Sequence, residues 1–269
     1  MSRSTTCLMF VSLFMSSLVA GCLTSDDISV SPISLVVYYD STSGTLYENW
    51  TNGQQISQTG VELNFDFART TSSKGELQSF SFSPGDGSAE IEVLASDSAS
   101  ITYEYQTHGL FLGKLSATDE SENRAEMDIT IRIDSFVHWI EQNSDDPQTM
   151  SINTIPDCEQ CEGPTLISID SQVSNPESVF PPTGSTTTIT WKLNDPEDNT
   201  TASKTEPVAD GQTKLWEHDQ LGVTPGMWSL DVIIDNGEDN INIEHNVSIR
   251  YEEKETEPNP IDVPESSSL

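Results

Sequence analysis

The stretch from Ser79 to Ile133 decides the fold: Phe80-Ser81-Phe82-Ser83-Pro84-Gly85-Asp86-Gly87, a variable loop, and ITYEYQTHGLFLGKLSATDESENRAEMDITIRI from Ile101 to Ile133. Its opening residues alternate apolar and polar and run into a turn built on Pro84, Gly85, Asp86 and Gly87. Ile101, Tyr103 and Tyr105 alternate next, and Gly109 breaks the chain. Phe111, Leu115 and Ala117 then share a face, as do Ile129, Ile131 and Ile133. A period of two punctuated by turn residues marks strands with one buried and one wet face. The stretch therefore predicts a turn followed by three strands.

Working outward, Val61, Leu63, Phe65 and Phe67 alternate with Glu62, Asn64 and Asp66 in the cleanest strand pattern of the chain. Leu35 to Tyr39 reads as an edge strand, and the polar stretch from Asp40 to Thr59 as a loop with short strands. No long amphipathic helix competes, so the pattern argues for an all-β antiparallel sandwich rather than an α/β enzyme. Together these residues resemble a PKD domain, an immunoglobulin-like sandwich of cell-surface proteins. The resemblance lies in Phe82, in place of the pattern's tryptophan, and the intact Gly85-Asp86-Gly87, then Tyr103 and Tyr105, Gly109, Phe111 and Thr118-Asp119; Ser83 and Pro84 depart from it, standing where the pattern has aspartate and phenylalanine. It implies extracellular contact with a protein or carbohydrate. Glycines suit the positive-φ positions of such a turn, and the Asp86 carboxylate can bond turn amides.

The C-terminal half repeats this plan. Thr107 to Phe111 lines up with Thr224 to Trp228, Leu115 and Ala117 with Val232 and Ile234, and Ile131 to Ile133 with Ile249 to Tyr251. Ile189 to Asp195 occupies the place of Phe80 to Asp86, putting Trp191 where Phe82 stands. Two similar modules in tandem are expected. The first spans residues 33–134 and the second, diverged, residues 135–252. The joining segment 135–163 holds Phe136 to Ile140, which extends the preceding strand or packs between modules. Residues 253–269, acidic and proline-containing, read as a disordered tail.

The beginning of the chain carries Arg3, an apolar run from Cys7 to Ala20, and Leu18-Val19-Ala20-Gly21-Cys22. The run is short for a membrane span, which takes roughly 20 residues, and has the proportions of an export signal. Its end looks like a lipobox, the processing signal of prokaryotic lipoproteins. That likeness implies cleavage after residue 21, lipidation of Cys22, a tether over residues 22–32, and a protein held on the outer face of the cell membrane. Two acyl chains anchor stably where one holds only marginally.

With 44 acidic against 11 basic residues the 269-residue chain has a formal charge of −33. That balance excludes binding to nucleic acid or an anionic membrane through a basic surface. Three acidic loops, Asp119 to Asn123, Asn194 to Asn199 and Asp235 to Asn240, are rich in oxygen ligands suited to calcium, although none has the EF-hand pattern. Solvated turns are the simpler reading, and no metal or cofactor is otherwise indicated.

Cys158 and Cys161 form a CxxC that in an exported protein reads as a local disulfide; a redox pair or half a zinc site are the alternatives. His108, His138, His218 and His245 lack ligand spacing. No nucleophile elbow, zinc helix or phosphate loop occurs, so no catalytic residue is expected. Trp191 and Trp228 belong to core patterns, whereas Trp50 and Trp216 lie in polar surroundings and are the candidates for a ligand surface. Asn49, Asn199 and Asn246 begin N-x-[ST] sequons.

Self-repulsion at this charge opposes compaction, and salt screens it, the Debye length falling from about 10 Å at 0.1 M to about 3 Å at 1 M. The melting temperature is expected to rise with sodium chloride over that range, as followed by circular dichroism. A flat melting temperature would remove self-repulsion as a factor.

Overall fold

The alternation through Ile129, Ile131 and Ile133 does not stop at Asp134; it continues through Ser135 and Trp139 to Glu141, all buried. The computed structural model describes residues 31–156, 161–177, 185–237 and 239–261, and among these the secondary structure is entirely β. In the first half lie β1 (Ile33–Ser34), β2 (Ser43–Thr51), β3 (Gln54–Thr59), β4 (Val61–Asp66), β5 (Thr71–Ser72), β6 (Leu77–Ser83), β7 (Ile91–Leu94), β8 (Ser100–Tyr105), β9 (Gly109–Asp119) and β10 (Arg124–Ser144). In the second lie β11 (Met150–Asn153), β12 (Leu166–Ser174), β13 (Thr186–Asn194), β14 (Thr200–Ala209), β15 (Thr213–Leu221), β16 (Met227–Asn236) and β17 (Ile241–Arg250).

The strands form β-sandwiches around two hydrophobic clusters. One large sheet runs β15-β12-β17-β10-β9-β6-β7, with β2 and β3 branching from β10. Facing it are the pair β4-β8 over the first cluster and the sheet β11-β16-β13-β14 over the second. β10, at 21 residues, belongs to both: its first part pairs with β9 and its later part with β17, so the boundary expected between Asp134 and Ser135 falls inside one unbroken strand. On its other edge β10 pairs with β2 in parallel, an exception to the antiparallel arrangement expected from sequence.

The first core is aromatic. Phe67 and Phe80 stack at 4.8 Å between centroids and Tyr105 and Phe111 at 5.1 Å, while Phe65 meets Phe82 tilted at 4.5 Å. Such contacts contribute about 0.5–1.5 kcal/mol beyond area burial. The Gly85-Asp86-Gly87 turn closes its end. Gly85 and Gly87 take φ of 83° and 86°, and a Cβ on Gly85 would sit 2.4 Å from the Leu112 carbonyl oxygen. Asp86 Oδ1 accepts the Ser88 N–H at 3.0 Å and Oδ2 accepts the Tyr103 hydroxyl, while the buried Tyr105 hydroxyl donates to the Pro84 carbonyl at 2.8 Å.

The internal echo is visible in the ladders. Phe82 faces Leu115 across β6 and β9, and Trp191 faces Val232 across β13 and β16, the same register at the equivalent residues. The third aligned element departs from this. Ile131 and Ile133 pair with β9, whereas β17 lies across from β10 and β12 in the other sheet from β16.

Two readings of the sequence are corrected here. Asp40 to Thr59 is not mainly loop: β2 and β3 form a hairpin closed by Asn52 (φ 48°) and Gly53 (φ 72°), the residues favoured in a two-residue type I′ turn. All six side chains of β3 are exposed, which is why no alternation announced it. The acidic tail is ordered as far as Ile261, while residues 262–269 lie outside the described residues. Thr256 donates its N–H to the Thr130 carbonyl and accepts the Thr130 N–H on Oγ1, and its carbonyl accepts the Thr42 hydroxyl. Asn259 and Tyr39 exchange both backbone hydrogen bonds, at 2.9 and 3.0 Å, and Glu255 forks onto Arg132 at 2.7 and 2.9 Å. Backbone pairing requires no apolar side chains, so composition alone could not reveal it.

Ending the chain after Tyr251 removes this clasp from the first core. Several hydrogen bonds at about 1 kcal/mol each imply a loss of about 2–4 kcal/mol, or roughly 5–15 °C in a protein of this size. Calorimetry of the truncated chain checks this, and an unchanged melting temperature would show the segment to be energetically idle.

Candidate functional site

The inward face of β10 sets the site. Ser135, Val137 and Trp139 follow one another on that face, and Leu46, Glu48 and Trp50 of β2 lie opposite them in parallel register. Trp50 and Trp139 are thus neighbours in the sheet, their rings stacked at 5.7 Å and 19°. Trp139 is buried and Trp50 half-buried. Glu48 Oε2 accepts the Trp50 indole N–H at 2.9 Å and the Gln55 amide at 3.3 Å, which fixes the outer indole from the side.

The two sheets end at different places. The smaller sheet stops at β11, whereas the larger continues beyond β10 into β2 and β3. Between the β11 edge and this ledge lies a groove of about 390 Å³, within the roughly 300–1,000 Å³ usual for ligand sites. Trp50, Val137 and Trp139 form its floor, the continuous run Gln148 to Asn153 its wall, and Glu48, His108 and Met227 part of its rim. Met150 and Ile152 turn into the core and Ser151 and Asn153 outward. Ser135 Oγ and Trp139 Nε1, both on groove-lining residues, are buried and find no hydrogen-bond partner among the described residues. Buried polar atoms of this kind are uncommon enough to need a reason.

Behind the floor the same transverse row continues through His245 of β17, Ser171 of β12 and Trp216 of β15. From the facing sheet the fully buried Trp191 donates its indole N–H to Ser171 Oγ at 2.7 Å. Ser171 Oγ is in turn hydrogen-bonded to His245 Nδ1 at 2.8 Å, which links the two sheets through a buried polar row. Burial drives the His245 pKa down to about 3, so this ring is neutral at all ordinary pH.

Trp50 is thus part of the groove, but Trp216 is not a surface residue. It is 6% exposed, packs on Trp191 at 6.2 Å, and is covered by His218 stacked at 5.5 Å. Its polar neighbours in sequence misled, because β15 turns Lys214, Trp216 and His218 to its more covered face and leaves the apolar Leu215 outside. Trp139 and the β11 edge, which complete the site, lie in what sequence treated as a joining segment; the signal was the unbroken odd-numbered alternation from Ile129.

The other candidate residues are dispersed. Cys22 and Cys158 lie outside the described residues; Cys161 is disulfide-bonded. Asp119 Oδ1 accepts the N–H groups of Ser121 and Asn123, at 2.9 and 3.0 Å, and Oδ2 accepts the Ser72 hydroxyl at 2.7 Å. Asp195 Oδ1 does the same for Glu197 and Asn199, both at 2.9 Å. Asp239 accepts the Asn175 amide at 3.0 Å and the Ser185 hydroxyl. Among the described residues no three His, Cys, Asp or Glu side chains gather as metal ligands. His108 pairs with Tyr251 at 2.8 Å and His138 with Glu244 at 3.2 Å. Of the sequon asparagines, Asn49 is exposed and bonded to Ser57, Asn199 is tied to Asp195, and Asn246 is half-buried.

No protein-family model matches the chain, and no curated protein matches it. Among solved structures it is similar to carbohydrate-binding modules of a β-sandwich superfamily described as promiscuous in specificity, at 12% identity over 79% of this chain and 95% of that one, with a TM-score of 0.30. It is also similar to the CBM51-2 and INT domains of Clostridium perfringens ZmpB in complex with GlcNAc, at 10% identity over 81% of this chain and 48% of that one, TM-score 0.24. A third likeness, to tripeptidyl peptidase 2, is at 8% identity over 82% of this chain and 20% of that one, TM-score 0.25. Scores this low define neither a family nor a ligand.

The buried imidazole makes stability depend on pH. An unfolded histidine titrates near 6.5 and the folded His245 near 3, so between those values the unfolded chain holds a proton that the folded chain lacks. Stability therefore falls as pH drops below about 6.5, approaching about 1.4 kcal/mol per pH unit from this group. His245→Gln is expected to be less stable at pH 7 but to lose less on going to pH 5 than the native chain. Equal losses in both, by denaturant titration, would rule out this origin.

Proposed function

We propose that this chain is a non-catalytic binding module of the cell exterior, anchored by lipid on Cys22, that takes its partner in the groove over Trp50. The observation carrying this reading is the half-buried Trp50 stacked on the buried Trp139, in a ledge bordered by polar groups. An indole fixed from the side by Glu48 offers apolar area at little cost in conformational freedom, and such rigid aromatic anchors dominate binding energy in interfaces. The acidic composition and the resemblance of the Phe80 to Ile133 pattern to a PKD domain support an exterior, adhesive or partner-binding role. Glu48, Gln148 and Asn153 supply acceptors and donors that fix orientation, the usual division of labour in a binding site. The disulfide at Cys161 fits a loop clamp in an oxidising compartment.

Three substitutions separate the parts of this reading. Trp50→Ala should weaken partner binding on arrays of oligosaccharides and peptides by about tenfold or more, as expected of a central aromatic contact, with the fold retained and a smaller loss of stability than Trp216→Ala. Trp216→Ala should instead destabilise by about 3–5 kcal/mol, the cost of truncating a buried tryptophan. Cys22→Ala should move the protein from the membrane to the soluble fraction. Array hits indifferent to Trp50→Ala would count against the groove, and a membrane-bound Cys22→Ala protein against the anchor.

A further inference from the structure

We propose that the occupant of the groove is an extended, basic polypeptide segment that adds to β11 as a further strand; this rests on the reading of the groove as the binding site. The wall of the groove is a strand edge. β11 is the terminal strand of its sheet, paired with β16, and the continuous run from Gln148 to Asn153 lines the cavity. A wall of consecutive residues presents main chain along its length, whereas a wall built from separate strands presents side chains.

The register says which groups are presented. Thr154 donates its N–H to the Gly226 carbonyl at 2.9 Å, and Ile152 faces Trp228 and Met150 faces Leu230 in the same ladder. Hydrogen-bonded pairs alternate along an antiparallel ladder, so Ile152 and Met150 spend their N–H and C=O groups on β16. Ser151 and Asn153 direct theirs away from β16, to the groove side. An exposed edge of this kind is a template for main-chain pairing, and extended peptides use such edges in strand addition. Side chains of an added strand point alternately to its two faces. Those on the inner face would rest on Val137 and the indoles of Trp50 and Trp139.

Charge selects the sequence of the occupant. Glu48 lies in the lining, which holds no lysine or arginine, and the whole chain carries −33. A field of that sign attracts cationic segments and repels acidic ones, so a lysine or arginine beside Glu48 is favoured both on approach and in place. Neutral oligosaccharides gain nothing from this field and cannot form a ladder with Ser151 and Asn153.

The test uses the full chain with a synthetic peptide alternating lysine with valine and phenylalanine, titrated by calorimetry and tryptophan fluorescence. Comparison ligands are the peptide with glutamate for lysine, two forms N-methylated at one or the other alternate set of backbone nitrogens, and neutral oligosaccharides. The lysine peptide should bind. One N-methylated form should lose about tenfold or more while the other binds as the parent does, because only one edge of the peptide faces β11 and one or two lost backbone bonds amount to about a decade. Trp50→Ala should weaken the parent peptide, and Glu48→Gln should narrow the gap between the lysine and glutamate peptides. Ser151→Pro removes an N–H that the β16 ladder does not use, so it should block binding with the fold retained. Equal binding of both N-methylated forms would mean attraction by charge alone and overturn strand addition. Trp50-dependent binding of an oligosaccharide without the peptide would overturn the peptide and leave the groove as the site. Absence of any Trp50-dependent binding would overturn both.

Discussion

One geometric constraint, the two-residue period of β10, organises the structure. A strand that buries Ile129, Ile131 and Ile133 must turn Ser135, Val137, Trp139 and Glu141 to the same side, since a shift of one residue would exchange its faces. The chain uses this to serve two cores with one strand. The first core takes the isoleucines, the second takes Trp139, and Ser135 stands at the changeover, buried but small. Because β2 follows β10 in parallel register, the constraint passes to it, and Leu46 lands in the first core while Trp50 lands against the second. The groove is therefore a consequence of sheet geometry: the second core ends where β11 ends, and the floor made by β2 and β10 continues past it.

The interior of the second core is organised by a polar contact among aromatic rings. Trp191 crosses from the facing sheet to Ser171, and Ser171 to His245. An indole N–H needs an acceptor when fully buried, and the hydroxyl that accepts from it is itself hydrogen-bonded to the neutral imidazole. The two hydrogen bonds hold the three groups in one arrangement across the facing sheets. Replacing Trp191 by phenylalanine would leave Ser171 short of a donor without creating a large void, which is the change that tests orientation apart from volume.

Much of this was legible in the residues, and the failures have physical causes. Strands with one apolar and one polar face announced themselves: Leu63, Phe65, Phe67, Phe80, Phe82, Trp228, Leu230 and Val232 are buried as alternation marked them, with Val61 and Ile234 half-buried near the strand ends. The echo between Phe82 and Trp191 was legible because equivalent ladders require equivalent patterns. β3 was not, since all its side chains face water; only Asn52-Gly53 betrayed the hairpin. Trp216 lies inward although its strand is polar, because β15 buries the indole between the exposed Leu215 and Glu217, so local polarity pointed outward while packing pulled inward. The clasp from Glu255 to Asn259 was hidden because main-chain pairing leaves little trace in composition. Trp50, a candidate for a ligand surface because of its polar surroundings, is half-buried; its partner Trp139 and the strand edge across from them depend on which elements meet, which no local pattern encodes.

A chain with four times as many acids as bases cannot satisfy its carboxylates with lysine and arginine. It uses its own turns instead. Asp119 and Asp195 open two hairpins with the same four-residue spacing to an asparagine, Asn123 and Asn199. In each the carboxylate accepts backbone and side-chain N–H groups while Glu122 or Asp198 takes a positive φ, 60° or 63°. The Ser72 hydroxyl, with the amides of Asn123, holds Asp119 below the usual carboxylate range; the Asn199 amides hold Asp195 there; and Ser185 with Asn175 holds Asp239 there. A depressed carboxylate stabilises the fold above its unfolded pKa, near 4, and the contribution is lost as pH falls through the lowered folded value. These turns therefore act in the same direction as His245, but in a lower window. Hydrogen bonds to backbone amides do not weaken with salt as surface ion pairs do, since no second ion is screened. Fixing anionic turns with dipoles in this way lets the surface remain acidic at high ionic strength while the loops that connect the sheets keep one conformation.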